Sequence, residues 1–395
     1  MPRNDLLEIL LNHFRDCQHP HLFEGAEGLS LDLLERFSQE ARGLSSELFL
    51  QQQQALQATA AYAEFEPWID IEAPSESLQG RSLLEGGKVA CVILAGGQGS
   101  RLGWHGPKAL YPIFPENNVT LLQILMEKVR KANMQYKCSL PVAVMTSPLH
   151  RASIEEHAHY YHFYGLAPEQ LSFFSQSMQP LLDEQGRWFL EEPGRIAMGP
   201  DGNGRVFLHL LESGILERWK ALGIQSVTVI PIDNPLALPF DECLIGSQNR
   251  GTSDVAAKCI QRHSPEEKVG VFAKSKGQLH VIEYSEISPE QKQSMNQQGL
   301  LQWPYANINL FSFSLSFIER IARVMLPWHI ARKQARAWQF GDIPVAKCET
   351  FLFDVLPFAR NPKLLLYPRE SIYAPLKNKE GEKSPATVRA MLKSL

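Results

Sequence analysis

No C-x-x-C pair occurs in this chain, and its six cysteines, Cys17, Cys91, Cys138, Cys243, Cys259 and Cys348, are scattered singly. That pattern argues against a disulfide framework or a zinc site and fits a reducing compartment. No apolar run approaches membrane-spanning length. The first residues carry Arg3, Asp5, Glu8, His13, Arg15 and Asp16 among their leucines, so they lack the apolar core of a signal peptide. Neither sign of charge dominates: with a formal net charge of -4 and no basic run, there is no footprint for nucleic acid or for an anionic membrane surface. A hydrophobic fraction of 44% and a charged fraction of 21% over 395 residues are those of a globular chain with room for more than one domain. The expectation is a cytoplasmic protein with small-molecule partners.

What the chain does have is a glycine-rich loop behind a buried strand. Val89 to Leu94 is a short apolar, β-branched run, which reads as a strand covered on both faces in a parallel sheet. Gly96, Gly97 and Gly99 follow where that strand should end. Lacking Cβ, they allow a tight turn that brings backbone N–H groups close to an anion. Arg101 and Lys108 add positive charge to the same loop. Two better-known glycine loops do not fit. The dinucleotide pattern G-x-G-x-x-G meets Leu102 where its last glycine should be, and the Gly-Lys-Ser/Thr of phosphate loops is interrupted by Pro107, with Ala109 after Lys108. A polyphosphate or nucleotide is the expected guest.

Upstream, Leu7, Leu10, Leu11 and Phe14, then Leu31, Leu34 and Phe37, recur at spacings of three and four. They predict short amphipathic helices, broken near His19-Pro20 and Gly25 to Gly28. The Gln51 to Gln54 run is expected on a helix surface. Linkers at residues 73–77 and 85–87 place a helical N-terminal region at 1–85 and a second domain at 86–395. Within the latter, strands are predicted at Val89–Leu94, Pro141–Thr146, Leu171–Phe174, Ser226–Ile232 and Val255–Cys259. Helices are predicted at Leu121–Ala132 and Ser153–Tyr164, with one long helix from Arg205 to Leu222. The alternation predicts an α/β fold, a doubly wound, mostly parallel, Rossmann-like sheet. Ligands of such sheets lie beyond the carboxyl ends of the strands, which puts the Gly96 loop, Thr146-Ser147, Gln176 and Asp233 on one rim.

Further along, Val269–Phe272 and His280–Tyr284 read as an antiparallel pair turned at Lys276-Gly277, and Leu301–Phe317 as an apolar strand holding Asn307 and Asn309. Ser384-Pro385 opens a last helix that runs to the chain end. The turn Gly199 to Arg205 offers Asn203 as both donor and acceptor to a base or sugar. Asp233 at a strand tip is an oxygen ligand of the kind Mg²⁺ takes together with substrate phosphates and water. Glu283, placed within a strand, could accept hydrogen bonds from sugar hydroxyls or an acetamido N–H, and the buried amides of Asn307 and Asn309 must be satisfied, a ligand being one way to do so. Lys377 has no assignment by itself. His157 and His159 read as packing or wet surface, since no Ser or Cys nucleophile motif accompanies them.

Taken in order, these motifs resemble those of the eukaryotic-type UDP-N-acetylglucosamine pyrophosphorylases and their UDP-sugar pyrophosphorylase relatives. The resemblance runs from Leu94-Ala95-Gly96-Gly97-Gln98-Gly99-Ser100-Arg101-Leu102-Gly103 and Pro107-Lys108 through Gln176, Pro200 to Gly204, Ile232-Asp233-Asn234, Gly270 and Glu283-Tyr284. It ends with Asn307, Glu349 to Asp354, Pro375-Leu376-Lys377-Asn378 and Ser384 to Arg389. It implies a GT-A-like nucleotidyltransferase fold in which Leu94, Ala95, Gly96, Gly97, Gln176 and Gly202 hold the nucleotide. Arg101, Lys108 and Lys377 would act on phosphates, Asn203, Gly270, Glu283 and Asn307 would hold the sugar, and Asp233 a Mg²⁺. The implied substrates are UTP and N-acetylglucosamine 1-phosphate, and the products UDP-N-acetylglucosamine and pyrophosphate, made by a monomer or weak homo-oligomer. A UTP:glucose-1-phosphate uridylyltransferase or a broad UDP-sugar pyrophosphorylase is the alternative enzyme. A non-catalytic nucleotide-sugar sensor is the alternative of another class. Three departures stand out: Ala109 replaces a glycine, Leu310 to Ser314 matches the sugar-side strand only loosely, and the small C-terminal domain usual in the family is expected to be missing beyond Leu395.

Overall fold

Leucines three and four residues apart near the N-terminus bury one face each of a set of helices. The computed structural model describes residues 1–57 and 65–394, and in it these helices are α1 (Arg3–Asp16), α2 (Leu31–Ala41) and α3 (Ser46–Gln57). Short 3₁₀ turns, Pro20–Phe23 and Ala26–Gly28, break the chain at the predicted places. These helices belong to a first compact unit, Met1–Ala60, Ser177–Gly202 and Leu326–Phe351. Its core joins Leu10, Phe14, Leu34 and Phe37 to Trp188 and to Ala346 and Cys348 of the hairpin His329–Ala337/Gly341–Glu349. The glutamine run departs from expectation. Gln52 is fully buried, donating to the Pro180 carbonyl at 3.1 Å and accepting from Trp188 Nε1 at 2.7 Å. A buried indole N–H must find an acceptor, and this amide supplies it.

The second unit, Ala61–Gln176, Asn203–Met325 and Leu352–Leu395, is built on a ten-stranded sheet. Residues 65–85, counted from the sequence with the N-terminal region, lie in this unit. In chain order the strands are β1 (Glu66–Pro67), β2 (Val89–Leu94), β3 (Val142–Thr146), β4 (Leu171–Ser175) and β5 (Ser226–Pro231). They continue with β6 (Val255–Gln261), β7 (Val271–Ser275), β8 (Gln278–Ile282), β9 (Tyr305–Ser314) and β10 (Lys363–Leu366). The order is β1-β7-β9-β5-β2-β3-β4, with β8 on β7, and β6 pairing both β9 and β10. Strands β5, β2, β3 and β4 are all parallel, so their carboxyl ends share a rim. Every residue of β2 is buried, as its unbroken apolar run requires. Strand β9 runs antiparallel to β5 and β6, closing the α/β sheet with a mixed half.

Several predicted elements change shape. The long helix from Arg205 is two, Val206–Glu212 and Ile215–Ala221, because Gly214 at φ +73° turns the chain between them. Helix α4 (Leu78–Glu85) precedes β2, α5 (Leu121–Tyr136) follows it, and α6 (Arg151–Tyr160) stops short of Phe163 and Tyr164, whose φ angles are +51° and +58°. The predicted strand 301–317 shortens to β9, since the Ser314 hydroxyl accepts the Phe317 N–H at 3.2 Å and starts the helix Leu315–Ile321. The β7–β8 hairpin turns where expected, with Lys276 and Gly277 at φ +49° and +80°. The last helix, Pro385–Lys393, opens with a Ser384/Thr387 capping box, and residue 395 lies outside the described residues.

Candidate active site

The glycine loop divides into two parts with different reasons for glycine. Where β2 ends, the Ala95 N–H donates to the Met145 carbonyl at 2.7 Å, and Leu94, Ala95 and Gly96 are buried while Gly97 is exposed. The Gln176 side chain lies directly over Gly96: a Cβ there would stand 2.4 Å from Gln176 Oε1. Gly96 is therefore required by a close approach, and it joins two of the predicted nucleotide residues. Gly97 is open, with nothing within 4 Å of where a Cβ would be. Gly99 does not serve an anion as expected. Its N–H donates to the Gly106 carbonyl at 3.1 Å, and a Cβ would lie 2.6 Å from Trp104 Cδ1. The Trp104 indole fills the space left by Gly99 and Gly106 and donates to the Pro107 carbonyl at 3.2 Å, stiffening the loop. Its signal in the sequence was a large aromatic set among glycines. Arg101 is exposed on the 3₁₀ turn Ser100–Leu102.

Lys108, Asp233 and the Lys377 loop come together at the end of β5. The Lys108 N–H donates to the Gly97 carbonyl at 3.1 Å, and its Nζ stands 3.7 Å from Asp233 Oδ2 and 3.4 Å from the Leu376 carbonyl oxygen. The two side chains are 18% and 21% exposed, shielded but reachable. The Asp233 carbonyl accepts the Leu376 N–H at 2.7 Å, which delivers Lys377 to the same place. Asn234, to which no motif gives a role, is buried and makes this join. It donates to the Ile372 carbonyl at 2.7 Å and accepts from the Ala374 N–H at 3.0 Å. Lys128 of α5 braces the next residues, donating to the carbonyls of Pro235 and Ala237 at 2.6 and 3.0 Å. Burial, with the charges of Lys258 and Lys131, pushes its pKa down to about 8. Burial and the Asp233 charge raise the Tyr373 hydroxyl.

Three predicted sugar residues also meet. The Asn307 N–H donates to the Gly270 carbonyl at 2.9 Å, and a Cβ on Gly270 would lie 3.2 Å from Glu283 Oε1. Glu283 is not inside a strand: β8 ends at Ile282, and the Glu283 carbonyl accepts N–H groups from Glu286 and Ile287. Asn307 and Asn309 satisfy each other. Asn307 Nδ2 donates to Asn309 Oδ1 at 2.9 Å, and Asn307 Oδ1 accepts the Asn309 N–H at 3.0 Å, in a bulge where Asn309 takes φ +56°. Asn203 spends its side-chain oxygen on the Leu352 N–H at 2.9 Å, leaving its amide donors. Gly202 belongs to the first unit, bridging to Thr350 at φ +89° with the Thr350 carbonyl 2.2 Å from a Cβ position.

No group of three or more His, Cys, Asp or Glu that could hold a metal occurs among the described residues. A single partly exposed carboxylate, Asp233, at a strand end still suits Mg²⁺, which takes one or two carboxylates and fills its sphere with phosphate oxygens and water.

A mixed, mostly parallel sheet whose carboxyl rim carries a glycine loop, Lys108 and the Asp233 carboxylate is an α/β nucleotidyltransferase-like fold. The chain belongs to the UDPGP family, described as UTP--glucose-1-phosphate uridylyltransferase, whose model matches residues 34–380. It is 33% identical over 325 residues to UDP-N-acetylglucosamine diphosphorylase 2 of Arabidopsis thaliana, covering 78% of this chain and 64% of that one. It is 34% identical over 323 residues to UDP-N-acetylhexosamine pyrophosphorylase-like protein 1 of Homo sapiens, covering 77% and 64%. The chain thus spans less than two thirds, 64%, of the length of these relatives. The uridine diphosphate N-acetylglucosamine pyrophosphorylase from Trypanosoma brucei, solved with an inhibitor, superposes with a TM-score of 0.85 at 25% identity, over 100% of this chain and 85% of that one. The resemblance read from the motifs and the predicted fold class both hold. No helix among the described residues is long and apolar enough to cross a membrane.

Proposed function

We propose that this chain is a uridylyltransferase that joins UTP and N-acetylglucosamine 1-phosphate into UDP-N-acetylglucosamine, releasing pyrophosphate. The observation that carries the reading is the meeting of Lys108 with Asp233 and with the carbonyl of Leu376, the residue before Lys377. A sugar-phosphate oxygen attacks the α-phosphorus of UTP, a new P–O bond forms, and the bond from the α-phosphorus to the bridging oxygen breaks with its electrons leaving on pyrophosphate. The nucleophile is already an anion at neutral pH, so the site needs no general base. What it must overcome is repulsion between two polyanions, by positioning and by cations. Lys108 and Arg101 face the UTP phosphates in this reading, and Lys377 the phosphate of the sugar. Gly96 and Gln176 seat the uridine, with Leu94, Ala95 and Gly97. Asn203, Gly270, Glu283 and Asn307 receive the N-acetylated sugar. Asp233 would hold a Mg²⁺, which when bound neutralises phosphate charge.

The relatives named for N-acetylated sugars and the family description naming glucose 1-phosphate differ on one group, the acetamide. Pyrophosphate release from UTP, coupled to pyrophosphatase and phosphate detection, is to be compared for N-acetylglucosamine, N-acetylgalactosamine and glucose 1-phosphates. The reading expects the first to give the highest kcat/KM. Preference for glucose 1-phosphate would replace the substrate, and UDP-sugar binding without turnover would make the protein a sensor. Six unpaired cysteines support a cytoplasmic setting.

A further inference from the structure

The glycine loop behind β2 is closed into a ring by its own residues. Residues 97–99 run antiparallel to 106–108: the Gly99 N–H donates to the Gly106 carbonyl and the Lys108 N–H to the Gly97 carbonyl, each at 3.1 Å, with Gln98 opposite Pro107. At the tip, the 3₁₀ turn Ser100–Leu102 ends at Gly103, φ +67°, and the Trp104 N–H returns to the Gly99 carbonyl at 3.2 Å. Arg101 stands on that turn and Lys108 on the closing rung, so one ring of backbone carries both residues. Its interior is filled by the Trp104 indole. The three atoms nearest a Cβ built on Gly99 all belong to Trp104, the closest at 2.6 Å, and so do those nearest a Cβ on Gly106, the closest, Nε1, at 2.9 Å. Neither glycine lies in the left-handed region, and Gly99, at φ -88°, has a backbone open to alanine. Both are glycine to make room for the ring. Outward, the indole donates from Nε1 to the Pro107 carbonyl at 3.2 Å and meets the Tyr111 ring edge-on, 5.7 Å between centres.

We infer that Trp104 is a positioning residue of the nucleotide loop: its indole, seated on Gly99 and Gly106, holds the backbone of Arg101 and Lys108 at one fixed spacing before the UTP phosphates arrive. A loop ordered in advance spends less of its binding energy on ordering when the ligand enters. Trp104 is outside the positions that the motif resemblance assigns. The inference rests on the proposed uridylyl transfer for the identity of the ligand.

The test uses the full chain with Trp104→Ala, Trp104→Phe, Gly99→Ala, and Gly99→Ala combined with Trp104→Ala. Titration calorimetry with UTP and Mg²⁺ should show W104A binding about tenfold weaker than the native chain, since the loop must then be ordered on binding. G99A should lose a similar factor, because its methyl group displaces the ring. Added to W104A, it should cost no further affinity, since the ring it would strike is gone. W104F keeps a ring and gives up the bond to Pro107, so it should bind within about threefold of the native chain. In steady-state kinetics kcat/KM for UTP should fall by about 10² in W104A, the scale of a misplaced reacting group, while the KM for N-acetylglucosamine 1-phosphate stays nearly unchanged. A purely structural tryptophan would lower the melting temperature and leave UTP affinity alone. Native-like UTP binding by W104A overturns the inference, as does an additive loss in the double variant. Should W104A fail to fold, G99A decides, and native-like UTP binding by it has the same force. A native chain that binds UTP yet releases no pyrophosphate refutes the transfer reaction, while the titrations still decide on Trp104. A native chain that binds no UTP removes both.

Discussion

The side-chain oxygen of Asn234 accepts the Ala374 N–H at 3.0 Å, while its amide donates to the Ile372 carbonyl at 2.7 Å. Through this clasp the residue next to Asp233 holds the loop that ends in Lys377. The same oxygen accepts from the Leu236 N–H at 3.3 Å, so one buried amide organises both sides of the site. Such groups are costly to orphan, because water cannot reach them.

Replacing Asn234 with leucine strands the Ala374 N–H and the Ile372 carbonyl. Unsatisfied buried groups cost about 1–3 kcal/mol each, so urea unfolding should show a loss of about 2–5 kcal/mol. Pyrophosphate release should fall further than global stability accounts for, since Lys377 loses its support. Unchanged stability would mean that water or another group satisfies the loop.

Lys108→Ala should lower kcat by about 10² to 10³, the scale expected for removing one positioned charge from a phosphoryl-transfer transition state. Arg101→Ala should cost a comparable factor. Arg101 is exposed and makes no ion pair or hydrogen bond among the described residues, so the arginine variant should melt at the native temperature. Native-like turnover in either variant removes that residue from the phosphate site.

Gly96→Ala puts a methyl group 2.4 Å from Gln176 Oε1. The glutamine must move, and with it the proposed uridine contact. The KM for UTP should rise by about tenfold, the effect of losing one or two neutral hydrogen bonds. In a double-mutant cycle, G96A should add little once Q176A is present, because the two changes remove the same contact. Additive effects would show that Gly96 matters for another reason.

Lys128 predicts a pH dependence of stability. Its pKa is pushed down to about 8 in the folded protein, against about 10.4 for an unfolded lysine. Between these values the unfolded state binds more protons, so stability must rise with pH across that window and level off below it. Denaturation of the native chain and of Lys128→Met between pH 7 and pH 10 isolates the effect: the native chain should gain on the variant as pH increases. A constant difference would place the ammonium in contact with water.

Some parts of the molecule were legible because their cause is local. The apolar run of β2, the Ser384 cap and the Lys276-Gly277 turn each follow from neighbours a few residues away. Other readings failed where a distant partner intervened. The Gln52 amide looked like helix surface until Trp188 claimed it, and Gly99 looked like a phosphate ligand until the Trp104 ring filled its place. Asn307 read as a buried amide in need of a ligand, and Asn309 two residues on takes up its oxygen and one of its amide hydrogens, in a bulge that alternation does not reveal.

By itself the sequence determined which residue types lie at strand ends, since glycine, aspartate and lysine after apolar runs obey short-range sterics and burial. Only the tertiary structure decided that Lys108, Asp233 and the loop of Lys377 share one location. That outcome depends on β5 pairing beside β2 and on Asn234 gripping residues 372–374. Strand order and long-range hydrogen bonds are set by the packing of the whole sheet, and no local window of residues carries them.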